Sequence, residues 1–176
     1  MQREDCAARS LGPVRLPRGF RVPVFDSRLA EAVALSMLEI ERRYLARVVD
    51  PASLPAPRLL RQGYLTSGEP AVRVREDGGR FALTVKAGRG GVRREVEVDL
   101  PSAEGRALLE MAGERVLEKL RHRMGRWEVD VFRGELEGLV LAEIELARED
   151  EPLPPPPSGV ELLREVTDDG AFTKLT

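Results

Sequence analysis

From Leu38 onward the chain alternates, with a charged residue at every second position and an apolar one between. Successive side chains of a strand point to opposite faces, so this alternation predicts half-buried β-strands rather than helices. Eight extended segments follow, at roughly 38–46, 58–67, 70–76, 80–87, 92–100, 115–124, 126–133 and 139–148. Turn chemistry separates them: Asp77-Gly78-Gly79, Gly88-Arg89-Gly90-Gly91, Met124-Gly125, and Gly134 with Gly138. Glycine reaches positive φ without steric cost, which suits tight reversals. One helix interrupts the strands, with Ser102 as N-cap after Pro101, apolar Leu108, Leu109 and Met111, and a stop at Gly113. The run Pro152 to Pro157 predicts a stiff extended linker, leading to a short helix near Gly159–Val166 and a polar C-terminal segment.

The polar faces are unusually charged. Glu39, Glu41 and Arg43 share a face of the first strand, Arg73 and Arg75 of the third, and Arg93, Glu95, Glu97 and Asp99 of the fifth. Lys86 opposes Phe81, Leu83 and Val85 on the fourth strand, and Lys119, Arg121 and Arg123 align on the sixth. Glu128 and Asp130, then Glu143 and Glu145, complete the set on the last two strands. In any one strand an ordinary sheet with a solvated face gives the same alternation. Taken together, the strands repeat Glu-x-Glu three times and Arg-x-Arg twice, and such same-sign neighbours repel unless a ligand or metal offsets the repulsion. Arginine also outnumbers lysine on these faces, and its planar fork matches phosphate oxygens in pairs.

Closing an eight-stranded sheet removes its edges and leaves an interior wide enough for side chains and one small ligand. The expected fold is therefore α+β and mainly β: an eight-stranded antiparallel closed barrel, or tunnel, with a few flanking helices. The charged faces turn inward, and helices and terminal segments cover the apolar faces outside. Such an interior needs water or ions. Carboxylates suit Mg²⁺ or Mn²⁺, and arginines and lysines suit phosphates, so the ligand class is a short, highly anionic, metal-chelating chain.

Composition narrows the choice. The 176 residues allow one domain with a sizeable core. Lys+Arg 28 against Asp+Glu 30 nearly cancel, which argues against a nucleic-acid coat or a membrane-surface protein. One cysteine, Cys6, and one histidine, His122, exclude a disulfide framework and Cys- or His-based metal sites. No apolar run approaches a membrane span and no secretory signal is apparent, so a soluble cytoplasmic protein is the default. Residues 1–36, with Pro13, Pro17 and Pro23 and no sustained period, are expected to be disordered or poorly packed apart from a short helix at Leu29–Leu38. Met37 is a candidate natural start, and residues 37–176 form the expected domain. There is no P-loop, no Gly-x-Ser-x-Gly and no Cys/His pairing.

The run Glu39-Ile40-Glu41-Arg42-Arg43 resembles the Glu-x-Glu-x-Lys signature of the CYTH, or triphosphate tunnel metalloenzyme, superfamily. Supporting motifs follow in order: Arg61-Gln62-Gly63-Tyr64-Leu65, Val72-Arg73-Val74-Arg75, Leu83-Thr84-Val85-Lys86, Lys119-Leu120-Arg121, Trp127 to Phe132, and Gly138 to Leu146. The resemblance spans about residues 38–175. It implies a triphosphate-binding tunnel with divalent metal, and metal-assisted hydrolysis of inorganic tripolyphosphate as the reaction. By motif matching, Glu39, Glu41, Glu143, Glu145 and Asp130 are the implied metal ligands, with Glu95 and Glu97 as further acidic wall. Arg43, Arg73, Arg75, Lys86, Lys119 and Arg121 are the implied phosphate ligands, and Glu41, Glu143 and Arg43 the implied catalytic residues, Glu41 or Glu143 orienting the water. Arg43 stands where the signature has lysine, and it is bulkier and keeps its proton at ordinary pH. Phe172-Thr173-Lys174-Leu175 departs from the family's usual ending and is expected to close one tunnel mouth. The alternatives are a non-catalytic polyphosphate or nucleotide sensor, a thiamine triphosphatase, and a class IV-type adenylate cyclase. The expected partner is a small-molecule triphosphate, with no nucleic acid and no membrane, and a homodimer is left open.

Overall fold

The computed structural model describes residues 38–89 and 91–172. The expectations for residues 1–37 and for the segment after Phe172 lie outside them. Nine strands and one α-helix are described: β1 (Leu38–Val48), β2 (Arg58–Tyr64), β3 (Ala71–Asp77), β4 (Arg80–Arg89), β5 (Val92–Leu100), α1 (Ser102–Ala112), β6 (Val116–Met124), β7 (Trp127–Phe132), β8 (Val140–Glu145) and β9 (Val160–Glu165). The order β5-β4-β3-β2-β6-β7-β8-β1, with an additional β1–β5 pairing, closes an eight-stranded barrel onto which β9 is added. Every pairing is antiparallel.

Two local expectations need correction. Val160–Glu165 is a strand, not a helix, because the outer half of β1 offers it an open edge over Tyr44 to Val48. Ser102 is the first helical residue, and Pro101 takes the cap position without a side-chain bond. The flanking helices among the described residues are α1 and three short 3-10 turns at Pro51–Ser53, Gly113–Arg115 and Gly134–Leu136. No described helix is long and apolar enough to cross a membrane.

The alternation sorts side chains between two environments. Outside the barrel, Tyr44, Val129, Ala142, Ile144 and Trp127 form one apolar core, with the Tyr44 and Trp127 rings edge to face at 5.8 Å. The Trp127 indole N–H donates to the Pro155 carbonyl at 2.9 Å, which ties the proline run over this core. On another flank Leu109 of α1 packs on Val74 and Phe81. Gly105 lets the helix approach that closely, because a Cβ there would collide with the Phe81 ring.

Inside, the inward-facing residues change character along the axis. On β1 they run Glu39, Glu41, Arg43 and then Leu45, on β8 Glu145, Glu143 and then Leu141. On β7 they run Glu128, Asp130 and then Phe132, on β6 Arg123, Arg121, Lys119 and then Leu117. Leu45, Leu117, Phe132 and Leu141 gather with Val166 and Phe172 into a buried apolar cluster that fills this end of the barrel. The segment after β9 is stitched to β1 there. Val166 N–H donates to the Arg43 carbonyl at 2.8 Å, and Arg43 N–H donates to Thr167 Oγ1 at 3.1 Å.

Candidate active site

Above the apolar end lies a cavity of about 600 Å³ lined almost wholly by charged side chains. Its acidic wall comes from β1 and β8, which carry Glu39, Glu41, Glu143 and Glu145. Glu41 and Glu145 are cross-strand neighbours, so the carboxylates of the two Glu-x-Glu pairs meet on one surface. The basic wall comes from β3, β4 and β6 with Arg73, Arg75, Lys86 and Arg121, and β5 adds Glu95 and Glu97 between the walls.

Three residues singled out in the sequence do not line the cavity. Arg43 is 1% exposed and lies within the acidic wall. Its guanidinium donates from Nε to Glu143 at 2.7 Å, from Nη2 to Glu41, and from Nη1 to the Phe172 carbonyl at 3.2 Å. The longer, forked side chain thus holds Glu41 and Glu143 through separate nitrogens of one planar group and reaches the Phe172 carbonyl with a third. Lys119 and Asp130 are fully buried near the apolar end, 2.6 Å apart, with Lys119 Nζ lying 5.4 Å from the centre of the Phe132 ring. Burial outweighs Asp130 and lowers the Lys119 ammonium to about 8. Burial alone would raise Asp130, but Lys119 and Arg121 outweigh it and hold the carboxyl at about 2. Arg121 grips Asp130 with two bonds of 2.7 and 2.6 Å and reaches Glu143 at 3.3 Å and Glu128.

Ion pairs occupy nearly every other charge. Lys86 Nζ sits 2.8 Å from both oxygens of Glu39 and 2.9 Å from Glu95. Burial would raise Glu95, but Lys86 outweighs it and lowers the pKa. Arg75 donates to both oxygens of Glu97 at 3.0 Å, while burial, then Arg73, lowers its own pKa. In the sequence Arg93 is only one member of a charged face. Inside the barrel it is 4% exposed, bonds Glu41, and comes within 3.8 Å of Glu39.

Two cavity-lining residues have no opposite charge within 4 Å among the described residues: Glu145 at the mouth and Arg73 in the basic wall. Arg73 is 5% exposed, its Nη2 donates to Thr84 Oγ1 at 3.4 Å, and its Nε is buried without a partner. Its other neighbour is the Tyr64 hydroxyl, whose pKa burial raises against the pull of Arg73. Burying a guanidinium against hydroxyls alone is costly and becomes sensible when an anion completes its shell. Tyr64 and Thr84 enter the sequence reading only as members of the motifs Arg61 to Leu65 and Leu83 to Lys86, because an uncharged residue on a charged strand face carries no charge pattern of its own. Among the described residues no three carboxylates converge into a ready metal site. The acidic wall nevertheless supplies only hard oxygen donors on two adjacent strands, which fits Mg²⁺ or Mn²⁺ once the arginines and lysine give way.

No family model matches the chain. Among curated proteins it is 41% identical over 119 residues to the inorganic triphosphatase of Acetivibrio thermocellus, covering 64% of this chain and 76% of that protein. It is 35% identical over 147 residues to the inorganic triphosphatase of Nitrosomonas europaea, covering 77% of this chain and 93% of that protein. Among solved structures, a crystal structure of an inorganic triphosphatase superposes with a TM-score of 0.53 at 31% identity, covering 77% of this chain and 91% of that one.

Proposed function

The chain belongs to the CYTH, or triphosphate tunnel, family that includes the inorganic triphosphatases, and we propose that it binds inorganic tripolyphosphate with a divalent cation in the barrel cavity and hydrolyses the terminal phosphoanhydride bond. The observation that carries this is Arg73, a buried cation at the cavity that hydrogen-bonds neutral hydroxyls and has no carboxylate within 4 Å among the described residues, Glu95 acting on it only from farther away. A phosphate oxygen would complete it.

Glu39, Glu41, Glu143 and Glu145 would hold the Mg²⁺ or Mn²⁺. Asp130 leaves that set because Lys119 and Arg121 already saturate it. The bound cation would supply neutralisation of the charge that builds on the phosphate oxygens. Arg73 anchors the chain, and Arg75, Lys86 and Arg121 exchange carboxylate partners for phosphate oxygens around it. Arg43 and Arg93, from within the acidic wall, hold the Glu41 carboxylate in place, and Arg43 does the same for Glu143. Glu41 or Glu143 then orients the attacking water in line with the bond that breaks. Among the described residues the lining contains no aromatic ring to stack on a thiazolium, pyrimidine or purine, which favours the inorganic substrate.

Phosphate release from tripolyphosphate, ATP and thiamine triphosphate, with Mg²⁺, Mn²⁺ or chelator, tests the proposal beside a Glu39→Gln/Glu41→Gln control. Fast, metal-dependent release from tripolyphosphate that vanishes in the control is expected. Tight binding without release in any metal would leave a sensor rather than an enzyme.

A further inference from the structure

Across the inner face of β3, β4 and β5 the side chains stand in rows, because partners in an antiparallel register lie side by side. One row reads Arg73, Thr84, Glu97, and the next reads Ala71, Lys86, Glu95. In the second row cation and carboxylate are immediate neighbours and pair at 2.9 Å. In the first row a threonine stands between them, setting Arg73 about 10 Å of sheet away from Glu97.

The Thr84 hydroxyl is fully buried and works in both directions. It donates to Glu97 Oε2 at 2.9 Å and accepts from Arg73 Nη2 at 3.4 Å. A hydroxyl has one hydrogen to give. Because Glu97 takes it, the oxygen lone pair is left facing the guanidinium. Glu97 is meanwhile engaged through both oxygens by Arg75. On the neighbouring strand, Tyr64 is the cross-strand partner of Arg73, and its hydroxyl shares a hydrogen bond with the same guanidinium.

We infer that Thr84 and Tyr64 are positioning residues that hold Arg73 by neutral contacts on two sides, keeping its charge available for the anionic substrate. The inference rests on the triphosphate assignment above and adds the reason its anchoring cation is bare. Without the Thr84 hydroxyl, Arg73 loses its aim and the Glu97 carboxylate loses a donor. The two opposite charges then draw together, and the substrate has to displace Glu97 from Arg73 instead of finding the guanidinium free.

The test compares Thr84→Val, Thr84→Ser and Tyr64→Phe. Calorimetry measures tripolyphosphate binding in chelator, so that metal ligation does not enter, and steady-state kinetics in Mg²⁺ separates KM from kcat. Thr84→Val, of the same shape without the hydroxyl, should weaken binding and raise KM by about tenfold while kcat stays within about twofold. Thr84→Ser should restore wild-type affinity, which a purely packing role for the threonine methyl would not allow. Tyr64→Phe should weaken binding in the same direction by roughly threefold to tenfold, and it carries the test if circular dichroism shows that Thr84→Val has lost its fold. Wild-type affinity in Tyr64→Phe together with either wild-type affinity or an unfolded chain in Thr84→Val overturns the inference. So does Thr84→Ser failing as badly as Thr84→Val. A wild-type protein that does not bind tripolyphosphate with or without metal overturns the triphosphate assignment itself, a result the variants cannot mimic.

Discussion

On the β1–β8 side of the cavity the carboxylates are held by the protein's own cations. Arg43 and Arg93 hold Glu41, Arg43 and Arg121 hold Glu143, Lys86 holds Glu39, and Glu145 at the mouth has no cation within 4 Å among the described residues. On the β3–β4 side Arg73 hydrogen-bonds hydroxyls and has no carboxylate within 4 Å among the described residues. The first wall is assembled before any ligand arrives, and its charges contribute to the fold as well as to the site. The second holds Arg73 through hydroxyls, so an arriving anion has no carboxylate to displace from it. Two walls of similar charge density therefore differ in what their loss should cost. A change on the acidic side costs structure and chemistry together, and a change at Arg73 costs binding alone.

Glu143→Gln is the severest way to probe that difference. It removes a carboxylate from two buried arginines and from the metal-holding set. Tripolyphosphate turnover should fall by about 10³-fold. Urea unfolding should show a stability loss of about 3 kcal/mol, the ordinary cost of stranding a buried charge. Arg73→Met is the counterpart. KM should rise by about 100-fold, the loss expected for a charge-assisted phosphate contact. The unfolding midpoint should hold or rise, since a buried cation without a carboxylate has been replaced by an apolar side chain. An Arg73→Met variant as destabilised as the Glu143→Gln variant would erase the contrast between the walls. The smallest effect lies in acid. Asp130 is held at about 2 against an ordinary 3.8. Its depressed pKa means that its contribution is complete above about pH 4 and is lost as the pH falls toward 2. Thermal unfolding followed from pH 5 to pH 2 should show that loss, and Asp130→Asn should flatten it at the expense of stability near neutrality.

The barrel can be read from the chain because it is a period-2 object. All its strands but β2, whose Arg-Leu-Leu-Arg-Gln-Gly-Tyr breaks the pattern, announce themselves by alternation, and most of the charges that alternate face inward. What alternation does not encode is depth. Leu45, Leu117, Phe132 and Leu141 continue the inward set, yet as apolar residues at strand ends they look like nothing more than core. Nor does it encode partnership. Arg43 invites assignment to substrate because arginine suits phosphate, whereas its neighbours in space are Glu41 and Glu143, the second brought in from 100 residues away. Val160–Glu165 reads as a helix because a six-residue stretch with three apolar positions satisfies either period, and only the open edge of β1 decides for a strand. Tyr64 and Thr84 appear in the sequence only inside longer motifs and with no role of their own, since their significance lies in being the uncharged members of a charged row.

β1 has a consequence of another kind. It is the earliest strand of the barrel and yet pairs with β5, β8 and β9, with contacts such as Arg43 to Glu143 and Arg47 to Glu161 spanning 100 and 114 residues. Closing loops of that length before any pairing rewards them is the slow step of β-folding. As the polypeptide is synthesised, the β2–β5 hairpins can form while β1 is still without its β8 and β9 partners. For that interval β1 is an exposed, sticky edge, and the newborn chain relies on being shielded until its last strands arrive.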